Sequence, residues 1–102
     1  MKQTAVYVRW FRKLSDPQGR ARINIAIRRC EVAGKMVGDI KPIGGGVSEL
    51  RIHLGPGYRI YYMTKDNEIM LLLIGGDKST QQRDIAKARR LAAEIIEEGL
   101  WQ

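Results

Sequence analysis

The chain has almost nothing with which to cross-link itself. One cysteine, Cys30, and one histidine, His53, stand among its 102 residues. A single cysteine excludes an internal disulfide framework, and the two together leave no Cys/His zinc set. No apolar run approaches the ~20 residues that span a bilayer. The first residues, MKQTAVYVRWFRKLSD, place arginines among the apolar positions, unlike the continuous core of a secretory signal. A cytoplasmic protein is expected. Prolines are few, and no repeat, low-complexity stretch or long linker interrupts the chain. One domain over residues 1–102 is expected, because this length supports one core and is too short for two.

Acid is also in short supply. Lys and Arg number 18 against 11 Asp and Glu, a net charge of +7 and a pI near 9.9. A basic surface attracts polyanions, since cations that neutralise phosphates release condensed counterions. The charge is spread along the chain, so a folded surface must gather it if it is to act.

Apolar residues recur at helical spacing from Thr4, a potential N-cap: Tyr7, Trp10, Phe11 and Leu14 share one face. Ser15-Asp16-Pro17 breaks that helix, with Asp16 as cap and Pro17 in the first turn of the next. The second helix carries Ile23, Ala26, Ile27 and Cys30 inward, four arginines (20, 22, 28 and 29) on its other faces, and Gly34 at its end. Trp10, Phe11 and Cys30 are expected to be packing residues. The period then changes to two. In VSELRIHL, Ser48, Leu50, Ile52 and Leu54 alternate with Val47, Glu49, Arg51 and His53. Gly55-Pro56-Gly57 and Asp66-Asn67 mark turns, and YRIYYM and EIMLLLIGG read as strands, the latter buried on both faces. A last helix follows Ser79-Thr80, with Ile85, Ala88, Ala92 and Ile95 inward. Its acidic end, Glu94, Glu97 and Glu98, opposes the helix dipole and suggests fraying or a docked partner. The expected architecture is α+β: two N-terminal helices on one face of a three-stranded antiparallel sheet, then a C-terminal helix.

A three-residue loop at Gly55–Gly57 would set the register with Leu54 against Tyr58. His53 would then face Arg59, Arg51 would face Tyr61, and Glu49 would face Met63, all on a helix-free face. Two arginines this close repel unless an anion joins them, although Glu49 can neutralise Arg51 locally and solvated strands often carry mixed charge. Arginine stays protonated, and its fork of donors fits phosphate oxygens, so Arg51 and Arg59 suit a five-coordinate phosphorus. Histidine is the side chain suited to proton transfer near neutral pH, so His53 is the candidate proton carrier. Tyr61 could stack on a splayed base or orient a hydroxyl. RNA cleavage by the substrate's own 2′-hydroxyl needs no metal, and no cofactor is expected. Lys78 either reaches this site or is a plain loop lysine. Lys41, ahead of Gly44-Gly45-Gly46, joins Tyr61 as a candidate RNA contact. The three glycines lack the Lys-Ser/Thr ending of a P-loop and read as a turn. Trp101 either folds back or meets a partner.

The stretches WFRKLSDPQGRARI, GDIKPIGGGVSELRIHLGPGYRIYY and LLLIGGDKSTQQRDIAKA resemble the HigB/Gp49-like addiction-module killer proteins of the RelE/ParE superfamily, across nearly the whole chain. The resemblance implies a RelE-like fold and the role of toxin in a type II toxin–antitoxin pair. It also implies an antitoxin partner, often of helix-turn-helix type. Ribonuclease members use basic residues with a His or Tyr on the sheet, which by position places Arg59 at the arginine of a GYR-type strand, with Arg51, His53 and Lys78 as basic neighbours. The implied activity is ribosome-dependent cleavage of translated messenger RNA. The ParE branch offers the alternative, a non-catalytic toxin that inhibits DNA gyrase. Relatives have a longer first strand, whereas only three residues precede Thr4 here, so that strand is expected to be truncated or missing.

Overall fold

A computed structural model describes residues 1–66 and 69–99. The elements run β1 (Lys2–Gln3), α1 (Ala5–Lys13), α2 (Pro17–Ala33), β2 (Asp39–Gly44), β3 (Val47–Ile52), β4 (Tyr58–Lys65), β5 (Ile69–Asp77), a short 3-10 turn (Lys78–Thr80) and α3 (Gln81–Glu97). The α+β reading holds, with two N-terminal helices and a C-terminal helix on a mostly antiparallel sheet. Among the described residues that sheet has five strands rather than three, in the order β1-β5-β4-β3-β2. The first strand survives as two residues, paired parallel to β5 at Leu71 and Leu72. β2 was hidden because Pro42 and the glycines look like loop. It lies at the sheet edge, where a proline's missing donor is tolerated.

Helix α1 starts where expected, as the Thr4 hydroxyl accepts from the Tyr7 amide at 3.0 Å. Asp16 takes the N-cap position of α2 with Pro17 behind it, and in place of a side-chain capping bond its carboxylate accepts the Tyr58 hydroxyl at 2.7 Å. That bond ties the α1–α2 corner to β4. It holds the Asp16 carboxyl below its usual range, while burial and Asp16 push Tyr58 up to about 12. Gly34 ends α2 at φ +69°, in the left-handed region glycine favours.

Two apolar layers sandwich the sheet. Tyr7, Ile23, Ile27 and Cys30 from α1 and α2 pack on Leu50, Ile52, Tyr58, Ile60, Tyr62 and Leu72. Ala88 and Ala92 of α3 pack on Val47, Tyr61, Met63, Leu73 and Ile74 on the opposite face. The face expected to be helix-free is therefore partly roofed by α3. Its apolar residues, Val47, Tyr61 and Met63, need that cover. β5 is buried on both faces, as its unbroken apolar run implied.

The β3–β4 register also differs from expectation, by two residues. Ile52 pairs with Tyr58, Arg51 with Arg59, and Glu49 with Tyr61. The cause lies in Leu54–Gly57, which closes a turn of its own. The Gly57 amide donates to the Leu54 carbonyl at 3.0 Å, and Gly55 and Gly57 take φ +54° and +74°. Leu54 is thereby removed from the ladder. A shift of two preserves the alternation, so every side chain keeps its face. Asn67 and Trp101 lie outside the described residues.

Candidate functional site

The alternation of β3 and β4 places Glu49, Arg51, Arg59 and Tyr61 on the α3 side of the sheet, and the first residue of α3, Gln81, reaches in beside them. Glu49 is the hub and is fully buried. Its Oε1 accepts from Arg51 Nε at 2.8 Å. Its Oε2 accepts from the Tyr61 hydroxyl at 2.9 Å and Gln81 Nε2 at 3.0 Å. Arg59 Nε lies 3.6 Å from the same oxygen, an ion-pair contact too long for a hydrogen bond. Burial raises the cost of the Glu49 charge, but the bonds from Arg51, Gln81 and Tyr61 outweigh it and hold the carboxyl below its usual range. The bond to Glu49 raises Arg51 in turn, and burial followed by the Glu49 bond raises Tyr61. Arg51 and the phenol keep their protons at any physiological pH.

Arg59 is buried on β4, where its Nη1 donates to the Gly57 carbonyl at 2.6 Å. Its Nε is buried without a hydrogen-bond partner among the described residues. Such a group is rare, because an unmet buried donor costs about 1–3 kcal/mol. Arg51 shows 27% of its side chain to solvent. One carboxylate thus holds two directly opposed guanidinium groups, leaving a net positive cluster with donors to spare.

The other expected residues spread around this centre. Lys78 is exposed at the start of the 3-10 turn, and its amide donates to the Pro56 carbonyl at 3.3 Å. A Cβ built on Gly57 would touch both Arg59 Nη1 at 3.0 Å and Lys78 Cβ at 3.6 Å, so Lys78 flanks Arg59 across the glycine. His53 does not face Arg59. It lies beyond the last β3–β4 pair, 72% exposed, with Nε2 at 2.6 Å from Asp39 Oδ2. That bond holds the Asp39 carboxyl below its usual range. Lys41 is exposed on the edge strand, opposite Glu49 in the β2–β3 ladder. Tyr61 cannot serve as a stacking platform, since it is fully buried and its hydroxyl is spent on Glu49; it is a positioning group. The glycine turn behaves as expected: Gly45 and Gly46 both have positive φ, as tight hairpin turns require.

Three residues were missed. Glu49 was seen only as a local partner for Arg51, because the expected register set it against Met63. Asp39 sat in the overlooked strand. Gln81 carries no signal beyond its place after a capped turn.

A model of phage-derived Gp49-like proteins matches residues 9–96. The chain belongs to this Gp49-like family. An uncharacterized protein of Haemophilus influenzae (strain Rd) is 41% identical to it over 95 residues, covering 93% of this chain and 94% of that protein. Among solved structures, a chain of the RelB–RelE antitoxin–toxin complex of Methanococcus jannaschii superposes with a TM-score of 0.65 at 18% identity, over 82% of this chain and 98% of that one. The Gp49-like protein therefore has a RelE-like fold. Among its described residues no helix is long and apolar enough to cross a membrane.

Proposed function

We propose that this Gp49-like protein is the toxin of a type II toxin–antitoxin pair and that it cuts translated messenger RNA on the ribosome. The observation that carries the chemistry is the direct pairing of Arg51 with Arg59 around one buried carboxylate, with a buried Arg59 donor left unmet. Opposed guanidinium groups suit the phosphate of a scissile bond. The 2′-oxygen attacks phosphorus as its proton is removed, the bond to the 5′-oxygen breaks, and that oxygen leaves with a proton. The products are a 2′,3′-cyclic phosphate and a 5′-hydroxyl. Arg51 and Arg59 stabilise the added negative charge, Lys78 adds a third cation, and Glu49 with Tyr61 and Gln81 fixes the geometry. His53, oriented by Asp39, is the proton carrier at the rim.

Brief expression followed by mapping of 5′ ends on cellular messages tests this reading, run beside a DNA gyrase supercoiling assay. New ends inside translated codons support it. Intact messages with inhibited supercoiling would sink it in favour of gyrase inhibition. His53→Ala should slow cleavage but weaken growth arrest less than loss of Arg59 does, because ribosomal RNA groups can stand in for part of the ~10²–10⁴-fold that general acid–base help is worth. Unchanged cleavage in that variant would remove His53 from the proton path.

The antitoxin half of the reading has support of its own. The superposed Methanococcus jannaschii chain was solved in an antitoxin–toxin complex. On this chain Ile25 and Val32 stand 49% and 77% exposed on the outer face of α2, between exposed Arg28 on one side and Arg22 and Arg29 on the other. An apolar stripe edged by cations complements an amphipathic helix edged by carboxylates, and we assign this face to the antitoxin. Ile25→Asp/Val32→Asp should stay toxic but fail to co-purify with, or be neutralised by, the adjacent gene's product. A variant that is neutralised as well as wild type would clear this face.

A further inference from the structure

The folded surface gathers charge in a second place. An open cleft of about 780 Å³ runs between α1 and α3 beside the end of β5. Five exposed cations line it, Arg9 and Lys13 from α1 and Arg83, Lys87 and Arg90 from α3. The spacing is regular. Arg9 and Lys13 are four residues apart, and Arg83, Lys87 and Arg90 follow at i, i+4 and i+7, so each helix presents a row of charges about 4.5–6 Å apart along its axis. Among the described residues the one ion pair made by these five is a 4.0 Å contact between Arg83 and Asp84.

The two acids in the cleft are already engaged. Asp77 accepts from the Ser79 amide at 2.8 Å and from the Ser79 hydroxyl, and Asp84 accepts from the Thr80 hydroxyl. Asp84 also sits where a side chain on Gly76 would go, so its carboxylate is held against the β5 backbone. Trp10 lies against Gly75 in the same way, which closes the base of the cleft. Facing rows of like charge repel, and two carboxylates against five cations offset that repulsion only in part. Two such rows suit a linear polyanion.

The cleft is continuous with the sheet site. Thr80 and Arg83 line both the cleft and a shallow depression over the 3-10 turn, which begins at Lys78 beside Arg59. A strand whose phosphate rests on Arg51 and Arg59 can therefore pass Lys78, round the start of α3, and enter the cleft.

We propose that the α1–α3 cleft binds the phosphodiester backbone of RNA continuous with, or adjacent to, the strand held at the sheet site. This rests on the reading that the protein acts on RNA, and it adds a second binding tract that supplies affinity without sequence preference. The source is either the message itself or ribosomal RNA beside it.

The test uses the full chain in an Arg59→Ala background, so that bound RNA is not cut. Two probes are titrated across a salt series: a labelled single strand of about 12 nucleotides, within the ~4–16 that one module covers, and message-free ribosomes. Arg9→Ala/Lys13→Ala and Lys87→Ala/Arg90→Ala are compared with Arg20→Ala/Lys35→Ala, which removes the same charge at exposed positions that line neither the cleft nor the sheet site. All six positions are exposed, so folding is preserved. Each cleft pair should lower affinity on the order of tenfold at physiological salt and flatten the log–log salt slope by about 1.4, from ~0.7 per lost contact. The control pair should change neither. Loss on the free strand assigns the cleft to the message, and loss on ribosomes alone assigns it to ribosomal RNA. Cleft variants that match the control pair on both probes overturn the proposal while leaving the sheet site standing. Cleft variants that bind RNA normally but escape the antitoxin also overturn it, giving the cleft to a protein partner. Wild-type protein that binds neither probe overturns both this proposal and the reading beneath it.

Discussion

Arg59→Ala should abolish growth arrest and erase the new message ends, the largest single effect expected at the site. Arg59 spends one donor on the Gly57 carbonyl at 2.6 Å and keeps a buried Nε 3.6 Å from Glu49 with no hydrogen bond. The side chain is thus fixed before any RNA arrives, and loses no freedom when charge develops on the phosphate. Removing one such preorganised donor typically costs ~10²–10³-fold in rate. The fold should survive, because Glu49 keeps Arg51, Tyr61 and Gln81 as donors. Arg51→Ala should fall between Arg59→Ala and His53→Ala, since Arg51 is more exposed and is backed by its neighbour. Arg59→Lys should not rescue, as an ammonium cannot hold the Gly57 carbonyl and offer a fork to phosphate together. Growth curves, 5′-end maps and thermal melts on the same variants decide the matter. An Arg59→Ala protein that still cuts messages would remove this residue, and the paired-arginine mechanism with it.

The parts of this site that could be read from residue order were those set by period and parity. Helical spacing marked α1 and α2 and their break at Asp16-Pro17, and alternation put Arg51 with Arg59 and Glu49 with Tyr61 on one face. Parity is robust because a two-residue register slip leaves it unchanged. The register was not legible, since it depended on whether Leu54 would pair or close a turn, and the amide of Gly57 decides that by bonding to the Leu54 carbonyl. The side taken by α3 was half legible. Ile85, Ala88, Ala92 and Ile95 showed which way the helix faces, but only the apolar Val47 and Met63 among the charged residues of β3 and β4 hinted at which sheet face receives it. Gln81 gains its role from that docking alone. The gathering of Arg9, Lys13, Arg83, Lys87 and Arg90 is a tertiary fact, because α1 and α3 lie some seventy residues apart in the chain and meet only across the edge of β5.

Glu49→Ala should be the most destabilising single change at the site, and its cost should depend on pH. The variant leaves Arg51 and Arg59 directly opposed with no carboxylate between them, and strips the buried Tyr61 hydroxyl of its acceptor. Breaking a buried ionic cluster from one side costs roughly 3–5 kcal/mol. The lower end applies here, because Arg51 is a quarter exposed and can turn to water. For a domain of this size about 3 kcal/mol lowers the melting temperature by roughly 12–24 °C. The sign with pH follows from the Glu49 carboxyl being held below its ordinary value of 4.5 in the fold. A depressed carboxyl stabilises the fold fully above its unfolded value, and that stabilisation is lost as the pH falls through the folded one. The stability gap between wild type and Glu49→Ala should therefore be widest near pH 7 and narrow steadily below 4.5. Glu49→Gln, which keeps the shape and an acceptor for Tyr61, should lose less stability yet still lose growth arrest, since a neutral amide no longer balances two guanidinium groups. Chemical denaturation of the three proteins between pH 7 and 3 measures the gap. A gap that stays constant over that range would mean that Glu49 acts through packing rather than through its charge.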